Sequence, residues 1–221
     1  VRPGGLQSVY ERQSSWFAGE RSRLLRKVDI TSRRRVLDLG AGTGSTLSEL
    51  TRRSEGFVIG ADADRHVLVL AEGARLQAQA QALPFADRSF DLVFTQMFFM
   101  WAGPLSAVLT EIHRVLVHGG HLIACAEPDY GAAIEHPAEN AVLQELAESL
   151  DAEGADVHVA RRLGGEMQRA GFSVTCGTHR SRPLEAAREE SQLFAPELVE
   201  PSGELEFLFI PYFHFLAVRT G

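Results

Sequence analysis

The chain has 221 residues, 45% hydrophobic and 23% charged, which suits one substantial globular domain and is short for two. A formal charge of -7 disfavours the long phosphate tracks of nucleic-acid binding, and Arg33-Arg34-Arg35 and Arg52-Arg53 read as solvated strand and helix ends. Lys27 is the only lysine, which excludes both a P-loop GxxxxGK[ST] and the Tyr-x-x-x-Lys pair of short-chain dehydrogenases.

The first predicted element is an amphipathic helix over Ser14–Val28, with Trp16, Phe17, Leu24 and Leu25 on its inner side. The first thirty residues are charged and Arg-rich, without an apolar secretory core. No later run approaches the roughly 18 to 20 apolar residues of a membrane span. The expectation is a cytoplasmic protein with no membrane span. From there short β-branched runs alternate with segments of helical period, the pattern of an α/β domain with a Rossmann-like, mostly parallel sheet covered on both faces. Strands are predicted at Arg35–Leu39, Phe57–Ala61, Gln77–Gln81, Phe90–Thr95, His121–Glu127, Ser173–Thr178 and Pro211–Val218. Helices are predicted near Ser45–Arg53, Asp64–Ala74, Pro104–Val117, Ala138–Glu153 and Val159–Ala170. That makes seven strands, the last antiparallel. Gly119-Gly120 and Gly171 stand where helix ends want a left-handed residue. Cys125 and Cys176 each sit in an apolar strand without CxxC spacing or a histidine cluster, and are expected to be buried free thiols, with no metal site. Ser181–Glu206, charged and carrying Pro183, Pro196 and Pro201, reads as a surface excursion, a lid or a plain loop. The whole chain is thus expected to be one domain: a helical cap at 1–34, a cofactor half at 35–130 and a substrate half at 131–221.

The most informative stretch is "VLDLGAGTGS", Val36 to Ser45. A strand that runs into alternate glycines and then a helix presents backbone N–H groups and a positive helix end at the carboxyl edge of the sheet, a place for an anionic or carboxylate-bearing nucleotide. The next strand ends in Asp62, twenty-two residues after Gly40, where a carboxylate can accept from both hydroxyls of a ribose. Taken alone, this pair reads equally as NAD binding or as a tight turn that holds nothing.

Two further stretches, "ALPFADRSFDLV" at Ala82–Val93 and "EIHRVLVHGGHLI" at Glu111–Ile123, follow in order. With "VLDLGAGTG" and "GADAD" they make the chain resemble the class I S-adenosylmethionine-dependent methyltransferases, in particular the small-molecule group (methyltransferase type 11) that includes ubiquinone and menaquinone biosynthesis enzymes. The resemblance covers residues 10 to 130 well and the remainder loosely. It implies that Gly40, Ala41, Gly42 and Gly44 line the methionine portion of S-adenosyl-L-methionine, with Asp38 beneath, toward the ammonium group. It also implies Asp62 on the ribose, Ala63 against adenine, and Thr95 and Gln96 near the sulfonium. Gln79, with Ala80 beside it, replaces the acidic residue that many relatives turn to the adenine amino group; its amide oxygen can accept the same hydrogen bond. "RVLVHGG" stands for the common "RVLKPGG", a change at a surface turn.

On the acceptor side, displacement at a sulfonium methyl depends on alignment and water exclusion, and a base is optional. The [ND]-P-P-[YF] grip of DNA-adenine and glutamine-amide methyltransferases is missing after the fourth strand, where "TQMFFMWAGP" stands instead. Met97, Met100 and Trp101 are candidates for a cavity wall, though about half of this cluster belongs to core packing. Tyr10 and Trp16 are candidates for its roof. Glu127, Tyr130 and Arg161 complete the candidate pocket, and Asp129 and His158 are the weak catalytic candidates. For each of these a capping or turn role ranks ahead of a chemical one. The leading reading is methyl transfer to a small, partly apolar metabolite. The alternatives are a non-catalytic S-adenosylmethionine-binding or partner protein of the same fold and, behind it, an NAD-dependent oxidoreductase.

Overall fold

A computed structural model describes residues 3–136, 142–179 and 207–221. The helices are α1 (Pro3–Trp16), α2 (Ala18–Lys27), α3 (Leu47–Arg53), α4 (Arg65–Leu68), α5 (Leu105–Val115), α6 (Val142–Ala152) and α7 (Val159–Arg169). The strands are β1 (Arg35–Leu39), β2 (Phe57–Asp62), β3 (Arg75–Gln77), β4 (Phe90–Gln96), β5 (Leu116–Pro128), β6 (Ile134–His136), β7 (Phe172–Thr178), β8 (Phe207–Phe209) and β9 (Tyr212–Arg219). Seven of them form one sheet in the order β3-β2-β1-β4-β5-β9-β7. Strands β3 through β5 pair in parallel, and β9 runs antiparallel to both β5 and β7, as the sequence predicts.

The central strands are apolar on both sides because helices cover both faces. Leu92, Val93 and Phe94 of β4 have no exposed surface, nor do Leu122, Ile123 and Ala124 of β5. Helix α5 buries Val108, Leu109, Ile112 and Val115, and α7 buries Val159, Ala160, Leu163 and Met167; each set forms one helical stripe. At about 1.5 to 3 kcal/mol for each large aliphatic side chain removed from water, these stripes bind the helices to the sheet.

The leading helix differs from expectation. The chain forms two helices broken at Phe17, whose backbone (φ -108, ψ 8) leaves the helical region and whose ring, 2% exposed, is driven into the core against Tyr212. Helix α4 is a single turn, capped by Asp64 accepting from His66 N–H, rather than a helix reaching Ala74. The third strand lies at Arg75–Gln77, so Gln79 and Ala80 fall beyond it. Helix α5 stops at Val115. Gly119 does take a left-handed φ of 71°, but inside the long strand β5 and not at a helix end, whereas Gly171 follows α7 as expected with φ 92°. Cys125 is buried, but Cys176 is exposed, because β7 is an edge strand with one neighbour. The short ribbon β6–β8 was not legible as strands. The predicted excursion Ser181–Glu206 lies outside the described residues, as does the start of the helix expected at Ala138.

Candidate functional site

The carboxyl ends of β1, β2 and β4 meet at the glycine loop. Gly40 N–H and Ala41 N–H both donate to Ala61 O, at 2.8 and 3.1 Å, so the loop folds back over the end of β2. All three glycines have positive φ: 78° at Gly40, 52° at Gly42 and 87° at Gly44. Their surroundings differ. A Cβ on Gly40 would stand 2.5 Å from Phe98 Cδ2, and one on Gly44 would stand 2.7 Å from Ala71 Cβ, whereas one on Gly42 would meet nothing within 4 Å. Packing therefore explains two of the glycines, and the open side of the loop is at Gly42.

Asp62 closes that mouth from β2. Its Oδ2 accepts from Gly42 N–H at 2.8 Å and its Oδ1 from Asp64 N–H at 2.9 Å. A carboxylate has about four lone-pair positions, so the side chain is fixed by two bonds and keeps capacity for two more donors. Tyr10 of α1 lies over this corner: burial first, then the charges of Asp62 and Asp64, raise its phenol above the usual value. Ala63 and Gln79 are exposed nearby and Ala80 is buried; Gln77 Nε2 donates to Ala63 O at 2.9 Å. Beneath the loop Asp38 is buried and accepts from Thr46 Oγ1 at 2.7 Å. Burial pushes its carboxyl up to about 7, with the Thr46 hydroxyl and the Arg21 charge opposing.

Along β4 the expectation needs correction. Thr95 is fully buried and its hydroxyl lies against Ile123 O, so it faces the core and not the edge. Gln96 is held by Arg21, whose Nη1 donates to Gln96 Oε1 at 2.8 Å. The same guanidinium donates to Ser14 O at 2.9 Å and to Glu49 Oε2 at 2.6 Å, and it is 5% exposed. Arg21 thus ties α1, α2, α3 and β4 together at the edge where Asp38 sits. Reading the sequence for chemistry passed over it. The signal was present in its spacing, since Arg21 shares the inner stripe of α2 with Leu24 and Leu25, four residues after Phe17.

The candidate pocket residues differ widely in their surroundings. Met100 is buried in the core, its carbonyl accepting from Asp156 N–H at 2.7 Å, while Trp101 is 46% exposed. Met97 is part-buried with a left-handed φ of 50°. Trp16 is part-buried against Phe17. Glu127 is fully buried: Oε1 accepts from Phe98 N–H at 3.2 Å and Oε2 from Phe99 N–H at 3.0 Å, and burial pushes its carboxyl up to about 8. It cannot serve as a polar handle in an open pocket. Asp129, also buried, takes a bidentate pair from Arg161, Nε to Oδ2 at 2.8 Å and Nη2 to Oδ1 at 2.6 Å; His158 Nδ1 stands 3.9 Å away. Both Asp129 oxygens are therefore engaged, which leaves it a brace between β5 and α7 rather than a free base. A cavity of about 470 Å³ does open beside this brace, lined by Tyr130, Leu143, Ala147 and Val157 with Glu135 and His158. Only Tyr130 and His158 among the candidates reach it.

Comparison with known proteins agrees with this geometry. Residues 37–124 match the family described as "Methyltransferase domain". The chain is 42% identical over 89 residues to malonyl-[acyl-carrier protein] O-methyltransferase 1 of Coxiella burnetii, covering 40% of this chain and 32% of that one. It is 36% identical over 105 residues to demethylmenaquinone methyltransferase of Thermus thermophilus, covering 43% of this chain and 48% of that one. These matches span 32% and 48% of the relatives' own length. Among solved structures, the YcgJ protein of Bacillus subtilis superposes with a TM-score of 0.65 at 17% identity, covering 90% of this chain and 98% of that one, a likeness of fold.

Proposed function

We propose that this chain, whose residues 37–124 match the family described as "Methyltransferase domain", transfers a methyl group from S-adenosyl-L-methionine to a small, partly apolar metabolite. The observation that carries the reading is the mouth at Gly42: a loop residue with no neighbour within 4 Å on its Cβ side, beside an Asp62 carboxylate fixed at 2.8 Å with lone pairs to spare. An extended donor with a ribose diol and an amino-acid end fits there. Asp62 accepts from the diol, the loop backbone borders the amino-acid end, and Asp38, its carboxyl raised to about 7, ionises when an ammonium group approaches. Bound S-adenosylmethionine supplies an electrophilic methyl on a sulfonium. What this chain contributes is alignment and exclusion of water.

The acceptor is read from the β5 side. The cavity combines an apolar wall of Tyr130, Leu143, Ala147 and Val157 with polar groups that include Glu135, Glu148, Asp151 and His158, and its volume suits a small molecule that is part apolar and part polar. The named activity of one relative, on demethylmenaquinone, is of the same broad kind. With both oxygens of Asp129 locked to Arg161, that carboxylate is not a free base, which favours an acceptor that arrives nucleophilic.

To test this, the protein is incubated with methyl-labelled S-adenosylmethionine and fractionated cell extract. Label is expected in a small organic product. Label found in nucleic acid or protein would overturn the acceptor class, and no transfer to any fraction would favour a non-catalytic binding protein.

A further inference from the structure

At the carboxyl ends of β4 and β5 the backbone departs from strand geometry twice in adjacent strands. Met97 (φ 50°) and Ala126 (φ 58°) are both left-handed without being glycine, a conformation that costs about 1 to 2 kcal/mol each and persists only where surrounding bonds impose it. Those bonds are present. Met97 N–H donates to Cys125 O at 3.0 Å, and Ala126 N–H turns away from the sheet to His179 Nε2 at 3.2 Å. The β5–β9 register shifts between Ala124 and Glu127, and a bulge of this kind re-aims the side chain that follows it. Here the re-aimed side chain is Glu127. Its carboxyl, fully buried, has each oxygen on one backbone N–H of the loop after β4. The first of those N–H groups belongs to Phe98, whose ring fills the space over Gly40 and meets Phe99 edge-on at 5.1 Å.

We propose that Glu127 is a positioning residue for the donor loop: through the Phe98 and Phe99 amides it fixes the turn that holds the Phe98 ring against Gly40, and so sets the shape of the mouth at Gly42. This rests on the methyl-donor reading above. A glutamic acid at this place presents an oxygen to each of two adjacent N–H groups, and does so with or without its proton. Glutamine keeps the size but offers one oxygen, and its amide nitrogen then faces an N–H. A carboxyl that merely filled the core or capped the short turn at Phe99–Trp101 would affect stability without affecting the donor loop through Phe98.

The test is a double-mutant cycle on the full chain with Glu127→Gln and Phe98→Ala, read by equilibrium binding of S-adenosylmethionine and by amide hydrogen exchange at Phe98 and Phe99. Each single variant is expected to weaken binding about five- to tenfold, and the double variant no more than about twofold beyond either, because both act through one contact. Glu127→Gln is also expected to speed exchange at both amides. Additive losses, or unchanged binding with only a lowered melting temperature, would overturn the proposal. If Glu127→Gln does not fold, Glu127→Asp, one methylene short of both amides, takes its place with the same expectations. Absence of binding by the unmutated protein would sink the methyl-donor reading, while unprotected Phe98 and Phe99 amides in that protein would by themselves overturn the role of Glu127.

Discussion

Gly40 and Gly42 are two residues apart and both left-handed, yet they fail differently when a methyl is added. Gly40→Ala places a Cβ 2.5 Å from the Phe98 ring, so the ring must move and the fold is weakened by the clash as well as by the backbone strain. Gly42→Ala meets no atom and carries only the strain, about 1 to 2 kcal/mol. Denaturant titration is expected to show the larger stability loss at Gly40, and equal losses would contradict the packing. The family resemblance assigns all of the glycines to the cofactor; it cannot reveal that Phe98, fifty-eight positions on, fills the space over one of them. The same blindness hid Glu127 and Thr95, whose letters suit a site but whose side chains point inward. A second prediction follows from burial. Asp38, raised to about 7, and Glu127, raised to about 8, keep protons in the folded state that the unfolded chain has released above roughly pH 4 to 5. Their contribution to stability is complete below the unfolded value and is lost as pH rises through the folded one. Histidines 113, 121 and 214, whose pKa values burial lowers, act in the opposite sense on the acid side. Between about pH 6.5 and 8 the melting temperature is therefore expected to fall, and to fall less in Glu127→Gln. Parallel profiles for the two proteins would contradict it.

At the scale of elements, the leading helices are fastened to the sheet by one buried guanidinium. Arg21 reaches Ser14, Glu49 and Gln96 from α2, so it joins α1 and α2 to the ends of α3 and β4. Removing one partner of a buried pair strands the other, which typically costs about 3 to 5 kcal/mol. Arg21→Ala is expected to lose stability in that range, and Arg21→Lys to recover only part, because an ammonium cannot reproduce the planar fork. A loss below about 1 kcal/mol in urea denaturation would mean the pair is solvated. Periodicity located the main-sheet strands, apart from the displaced third, and most helices, since burial on two faces forces continuous apolar runs and burial on one face forces a stripe. It misjudged α1 and α2 because Phe17 interrupts the helix without glycine or proline. It drew α4 too long, through Ala74, where the structure keeps a single turn.

For the molecule as a whole, the strand order β3-β2-β1-β4-β5-β9-β7 reverses direction across β1 and β4, the place in an open α/β sheet where a crevice forms outside the strand ends. Asp38, Gly42 and Asp62 stand at that crevice, and the motifs that carry them could be read directly because each is local in the chain. The acceptor side is assembled from segments far apart, such as Tyr130 with Leu143 and Val157, and no spacing rule encodes their meeting. The central claim, that the mouth at Gly42 and Asp62 holds S-adenosylmethionine, is tested most directly by titration calorimetry of the full chain with S-adenosylmethionine and NADH, repeated on Asp62→Ala. The account predicts one S-adenosylmethionine per chain, no heat from NADH, and affinity lowered by about 1.5 to 3 kcal/mol in a variant that remains folded. Binding of NADH in preference, or S-adenosylmethionine binding that Asp62→Ala leaves unchanged, would contradict it.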